Sequence, residues 1–333
     1  RRRAHAMPPP FVLLAVAFAP LQSLPGDGRS WLPAQEPPVL VDVRPADVFV
    51  RGHVVGAANI PVASLQQRLF ELPPPGEWPL HLIGAAEELG EAASLLEAKG
   101  WTPQLTVSSA GSLANARLGD VVPGPSDAQA WRPNSFLAAV CRSLGRLPSE
   151  EEPGLVVDLG CGSGRDAVHL ASQLHARGCA WQVVGIDNHE AALERGRELA
   201  HRNGVGPPRC SFVNADLRRG GLEATLQASG SFLRLVHGCR FLDVDLLCRL
   251  PHLLAPGGLL IWSTFQDPSD DSRPLAPPFR ASRRLRPGQL SAMLGPGPDG
   301  AGMHVLADAQ GQLLTRGQWV PASFFVARRS PGG

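Results

Sequence analysis

The chain has 333 residues, of which 44% are hydrophobic and 18% charged, and a formal net charge of +1. That length exceeds one ordinary core and implies two or three domains at about 100–200 residues each. The near-neutral balance excludes a global attraction for nucleic acid or an anionic membrane. The cysteines, Cys141, Cys161, Cys179, Cys210, Cys239 and Cys248, form no CxxC pair and no Cys/His cluster of zinc-finger spacing. Free thiols in a reducing compartment and no metal are therefore expected.

Residues 1–34 read as a leader, either disordered or a targeting segment. Residues 1–26 hold no acid, and Arg1 to Arg3 precede an apolar run over 11–19. That run falls far short of the about 20 residues that cross a bilayer, so no span is expected. The expected location is the cytoplasm, or an organelle or the cell exterior if the leader is genuine.

Residues 35–123 read as a small α/β domain. A Val-rich buried strand over 39–44 ends at Pro45, and a turn-rich stretch over 52–61 closes in a second short strand. A helix is expected over 65–72, a strand over 79–83, a helix over 87–99 with Gly100 at its end, and a strand at 106–107. This order implies a parallel sheet. Asp42-Val-Arg44, Gly52-His53, Gly56-Ala-Ala-Asn59-Ile-Pro61 and the ending Ser109-Ala-Gly111 with Gly119 resemble a rhodanese-like domain. The resemblance implies a loop after the central strand where a nucleophilic Cys would sit. Here that loop reads Gly84-Ala-Ala-Glu-Glu88, with no Cys and two acids. Persulfide chemistry is then absent, and the domain serves as a scaffold, a docking surface for a protein partner or a regulatory module. Cys141-Arg-Ser-Leu-Gly-Arg146 matches such a loop only superficially, since it follows no strand.

Residues 124–153 read as a linker with one helix over 134–144. The strongest signal follows, over residues 154–330. Asp158-Leu-Gly160-Cys161-Gly162-Ser-Gly164 stands between an apolar strand and a helix. Further strands are expected over 181–186, 210–217, 232–238 and 259–264, with helices over 189–203 and 243–254 and a turn at 255–258. A helix over 283–294 and an antiparallel pair over 303–309 and 319–328 complete the reading. Asp187 lies where a strand-end carboxylate can accept from ribose hydroxyls.

This pattern resembles a class I methyltransferase that uses S-adenosylmethionine, with a Rossmann-like seven-stranded fold. A nicotinamide-binding turn would carry a third glycine where Arg165 stands, and would not need the acid at Asp158. The resemblance implies that Gly160, Cys161, Gly162 and Gly164 form the cofactor turn and that Asp158 orients it. Asp187 with Asn188 would hold the ribose, and Asp216 with Leu217 the adenine. Within the class, the fourth strand and tail are similar to tellurite-resistance-like small-molecule methyltransferases. His237 is the candidate base and Arg240 the candidate anion anchor, from their place after the fourth strand. Arg273, Arg280, Arg283, Arg284 and Arg286 form a local basic patch. The leading expectation is methyl transfer to a small molecule. The alternatives are a protein or RNA methyltransferase that docks its substrate on the first domain, and a non-enzymatic binding protein.

Overall fold

The computed structural model describes residues 38–108, 118–144, 150–267, 284–297, 300–315 and 318–330. The leader, Ser109-Ala-Gly111, and Arg273, Arg280 and Arg283 of the basic patch lie outside the described residues.

The first unit runs β1 (Val39–Asp42), α1 (Ala46–Arg51), β2 (His53–Val54), β3 (Ala58–Asn59), α2 (Val62–Leu65), β4 (Leu80–Gly84), α3 (Ala86–Glu97), β5 (Gln104–Val107) and β6 (Val121–Val122). Four strands form a parallel sheet in the order β3-β1-β4-β5, and β2 pairs with β6. Val39, Val41, Leu80 and Leu82 are buried with Leu89, Ala92 and Leu96 of α3, which accounts for the apolar runs in the sequence. The polar members of the Asp42-Val-Arg44 motif hold the strands in place. Arg44 Nε donates to Asp42 Oδ1 at 2.9 Å, and Asn59 Nδ2 donates to the carbonyls of Asp42 and Arg44, both at 2.9 Å. The helix expected over 65–72 is instead α2 followed by a single 3-10 turn, Leu69–Glu71. Prolines at 73, 74 and 75 allow no continuation.

The second unit runs α4 (Ser135–Ser143), β7 (Leu155–Leu159), α5 (Arg165–Ala176), β8 (Gln182–Asp187), α6 (Glu190–Arg202), β9 (Cys210–Asn214), α7 (Gly221–Ser229), β10 (Leu233–Cys239), α8 (Val244–Leu253), β11 (Leu254–Phe265), α9 (Gln289–Leu294), β12 (His304–Thr315) and β13 (Gln318–Arg328). The sheet order is β12-β13-β11-β10-β7-β8-β9, parallel except where β13 meets β11 and β12. Alternate residues feed two cores, one on each face. Val156 packs with α4, α5 and α6, while Val157 packs with α7, α8 and α9. The chain steps from β7 outward to β8 and β9, then returns to β10 on the other side of β7. The crevice beyond the carboxyl ends of β7 and β10 is thus the switch point where ligands bind in such sheets.

Four boundaries differ from expectation. Strand β9 stops at Asn214, because Asp216 turns the chain into a 3-10 turn by accepting from Arg218 N at 3.0 Å. The expected turn at 255–258 lies inside β11, with Gly257 at φ 77°. Pro287 and Gly288 confine the tail helix to α9, and β12 runs on to Thr315. Among the described residues no helix is long and apolar enough to cross a membrane.

The junction between the units is tightly held. Ala130 packs in the core of the first unit and its neighbour Trp131 in that of the second. Gln129 Nε2 donates to Asn203 Oδ1 at 2.5 Å.

One ring sets the spacing behind the glycine turn. A Cβ on Gly164, Gly185 or Gly196 would come within 2.4–2.8 Å of Phe212. Gly196 lies inside α6, where glycine costs about 1 kcal/mol relative to alanine. Gly196→Ala should still lower stability, by about 1–3 kcal/mol through overpacking, as measured by the urea midpoint. In a Phe212→Leu background the same change should be neutral or stabilising.

Candidate active site at the switch point of the seven-stranded sheet

After β7 the chain turns through Gly160, Gly162 and Gly164, with φ of 69°, 54° and 73°. All three lie in the left-handed region that favours glycine. Their surroundings differ. A Cβ on Gly160 would press on Phe241 at 2.9 Å and one on Gly164 on Phe212, whereas one on Gly162 would meet nothing within 4 Å. Gly162 is therefore required by its backbone angle, and open space lies beyond it.

Asp187 ends β8 and faces this turn. Its Oδ2 accepts from Gly162 N at 2.9 Å and its Oδ1 from His189 N at 3.0 Å. Two backbone donors thus fix the carboxylate before any ligand arrives. Asp187, Asn188, Asp216, Leu217 and Phe241 line a cavity of about 320 Å³ together with Gly160 and Arg240. Asn188 and Asp216 are exposed and Leu217 is buried, so the cavity has an acidic mouth and an apolar floor.

A second cavity, of about 260 Å³, adjoins it and shares Gly160 and Arg240. Asp158, Gly162, Ser163, Asp166 and Asn134 line one side. Glu77 and Trp78 from the first unit line the other. Asp158 is 2% exposed and its Oδ2 has no partner, leaving a buried acceptor at the cavity wall. Burial, then Asp158 and Asp187, push the Cys161 thiol up, so it stays protonated and serves as a small filler of the turn. Burial likewise pushes the Cys239 thiol up to about 12.

The two candidate catalytic residues are placed differently from expectation. His237 is wholly buried. It pairs in register with Asp158 across β10 and β7, with Nδ1 and Asp158 Oδ1 2.8 Å apart. Its Nε2 is 3.9 Å from Asp166 Oδ2. A ring with no exposed atom cannot act as the expected base on an acceptor in this arrangement. Arg240, the expected anion anchor, donates instead to Glu77 Oε1 at 2.9 Å. It is also the one non-glycine residue at positive φ, 55°, among the described residues.

Sequence reasoning missed Asp166, Asn134 and Glu77. The first two are joined, since Asn134 N donates to Asp166 Oδ1 at 2.6 Å and Asn134 Nδ2 lies 3.1 Å from Cys239 Sγ. Asp166 was visible as an acid in the first helical turn after the glycines, where it complements the helix dipole. Glu77 carried no local signal, because only tertiary packing brings it here.

Residues 156–258 match the family model of a methyltransferase domain. This stretch is a methyltransferase domain with S-adenosylmethionine as its cofactor. The chain is 38% identical over 110 residues to the 23S rRNA (uracil(1939)-C(5))-methyltransferase RlmD of Alkalilimnicola ehrlichii, a match covering 30% of this chain and 22% of that protein. It is 29% identical over 119 residues to the carboxy-S-adenosyl-L-methionine synthase of a Geobacter species, covering 34% of this chain and 46% of that one. The chain therefore spans less than half the length of these curated relatives. Similar solved structures include an S-adenosylmethionine-dependent methyltransferase from Aquifex aeolicus, at 14% identity and a TM-score of 0.37 over 58% of this chain and 89% of that one. A TehB-like methyltransferase from Corynebacterium glutamicum has 15% identity and a TM-score of 0.34, over 59% of this chain and 88% of that one.

The residues present fit the cofactor. The free space above Gly162, the fixed Asp187 carboxylate and the unpartnered Asp158 oxygen offer room for a ligand and acceptors for its hydrogen-bond donors.

The buried histidine generates a pH-dependent prediction. Burial alone would lower His237, but Asp158 and Asp166 outweigh it and leave the ring raised above its ordinary value. The native state then holds this proton more tightly than the unfolded chain does. That contribution is full below the ordinary histidine value and is lost as pH rises through the raised native one. The urea midpoint should fall as pH rises past the ordinary histidine value and through the raised native one, and His237→Gln should flatten the fall. His237→Ala should cost about 3–5 kcal/mol by leaving Asp158 without its partner.

Proposed function

We propose that the protein transfers a methyl group from S-adenosylmethionine to a small-molecule acceptor at the switch-point crevice. The observation that carries this reading is the glycine turn held by Asp187 within a matched methyltransferase domain. In it, Asp187 and Asn188 hold the ribose, and Asp216 and Leu217 meet the adenine. Gly160, Cys161, Gly162 and Gly164 pass beneath the rest of the cofactor, and the open oxygen of Asp158 faces its amino group. The bound cofactor supplies a methyl group on a positively charged sulfur. The chain's own part is alignment, which can contribute up to about 7–11 kcal/mol to such a reaction. His237 acts here by keeping Asp158 oriented, and Arg240 by holding Glu77.

We also read the first unit as rhodanese-like and without sulfur-transfer chemistry. Two observations support that reading. Its sheet is parallel, and the amide of Ala85, where an anion would be held, donates to Glu88 Oε2 at 2.9 Å. A carboxylate of the chain occupies the place where a sulfur anion would bind.

Calorimetric titration of S-adenosylmethionine tests the reading. The unmodified protein should bind it, and Asp187→Ala should weaken binding about 10- to 100-fold, the loss of about 1.5–3 kcal/mol from hydrogen bonds to a charged group. No binding by the folded, unmodified protein would overturn the reading.

A further inference from the structure

The cavity beside the glycine turn is closed by residues from outside the methyltransferase domain, and the contacts that close it are specific. Arg165 opens α5 directly after Gly164. Its guanidinium reaches across to the first unit and donates to the carbonyls of Phe70 and Leu72 at 3.1 and 3.0 Å. On the opposite side of the turn, Arg240 pairs with Glu77 at 2.9 Å. A third arginine, Arg202, lies 3.5 Å from Glu71. The segment 70–78 is thus gripped at three points by the seven-stranded unit.

The grip is costly in two places. The Glu77 side chain is only 12% exposed, and burial pushes its carboxyl up, with Arg240 pulling it back. A half-buried pair of this kind adds little net stability. Arg240 also adopts a left-handed backbone angle that a non-glycine residue rarely holds, and such strain clusters at binding sites. Both costs place the same loop, with the Trp78 ring, against the cavity that Asp158 and Gly162 line.

We propose that the segment 73–78 of the first unit is the acceptor-side wall of the methyl-transfer site, with Glu77 and Trp78 as its specificity-determining residues. The wall restricts the acceptor to a small molecule. The two adjoining cavities, about 320 and 260 Å³, lie at the lower end of the scale of small-molecule sites, about 300–1,000 Å³. This inference rests on the methyl-transfer reading and deepens it.

The test uses two probes on the full chain: S-adenosylhomocysteine, and an S-adenosylmethionine analogue carrying a benzyl group in place of the methyl. The unmodified protein should bind S-adenosylhomocysteine and reject the benzyl analogue by at least about tenfold. Trp78→Ala should still bind S-adenosylhomocysteine and recover most of that tenfold for the benzyl analogue relative to S-adenosylhomocysteine. Equal discrimination by the two proteins overturns the wall while leaving the methyl-transfer reading intact. Failure of the unmodified protein to bind either probe overturns both. Hydrogen exchange of the unmodified protein gives a readout that needs no substitution. S-adenosylhomocysteine should slow the amides of Leu72 and Glu77 together with those of the glycine turn, and protection confined to the turn overturns the wall. Transfer of labelled methyl groups into RNA by the unmodified protein would overturn the small-molecule restriction.

Discussion

Two strands at the centre of the seven-stranded sheet present an acid and a histidine to each other in register, and the site is built outward from that pair. Asp158 and His237 are both buried, so neither can turn to water if the other moves. A buried ionisable pair of this kind must keep its partners, because a lone charge there would cost several kcal/mol, about 3–5. The ends of β7 and β10 are thereby fixed in relation to one another. Everything that leaves those ends inherits the same position: the glycine turn from one, the Arg240 corner from the other. Asp166 adds a second carboxylate beyond the ring, and Asn134 ties that carboxylate to the helix laid across the site.

A similar economy governs the cofactor side. Asp187 is oriented by two backbone N–H groups, so the carboxylate does not have to be ordered when a ligand arrives. Phe212 sets the depth of the turn from behind by filling the space that three glycines leave open. The turn, the acid and the ring come from β7, β8 and β9 and the helices between them, which are consecutive in the chain. This part of the site is local in sequence, and the wall supplied by the first unit is the distant part.

That difference explains what could be read from the residues. The turn at Gly160, Gly162 and Gly164 and the acid at Asp187 announce themselves by spacing within a stretch of about thirty residues, as such turns do. The short Val-rich apolar runs of β1 and β7 revealed the buried strands for the same reason. Asp216 was singled out as the acid ending a strand, whereas it caps a turn past that strand, since a short strand leaves little periodicity to mark its last residue. His237 and Arg240 were singled out by position after a strand, but their roles depend on what faces them. Asp158 lies 79 positions away from His237, and Glu77 lies 163 positions away from Arg240. No local pattern encodes those partners. The Asp42, Arg44 and Asn59 motif was legible as a signature, yet its side chains turn out to stitch a backbone together.

The junction at Ala130 and Trp131 has an effect on how such a chain can be divided. Adjacent side chains are committed to different interiors, so the bond between Ala130 and Trp131 is the one point at which a cut leaves each side chain with its own core. Most tethered modules meet through a solvated strand that tolerates lengthening. Here one added residue at that point would rotate the following side chain away from its seat. Exchange of either half against another therefore has to break the chain at that one bond, with no spacer to spare on either side.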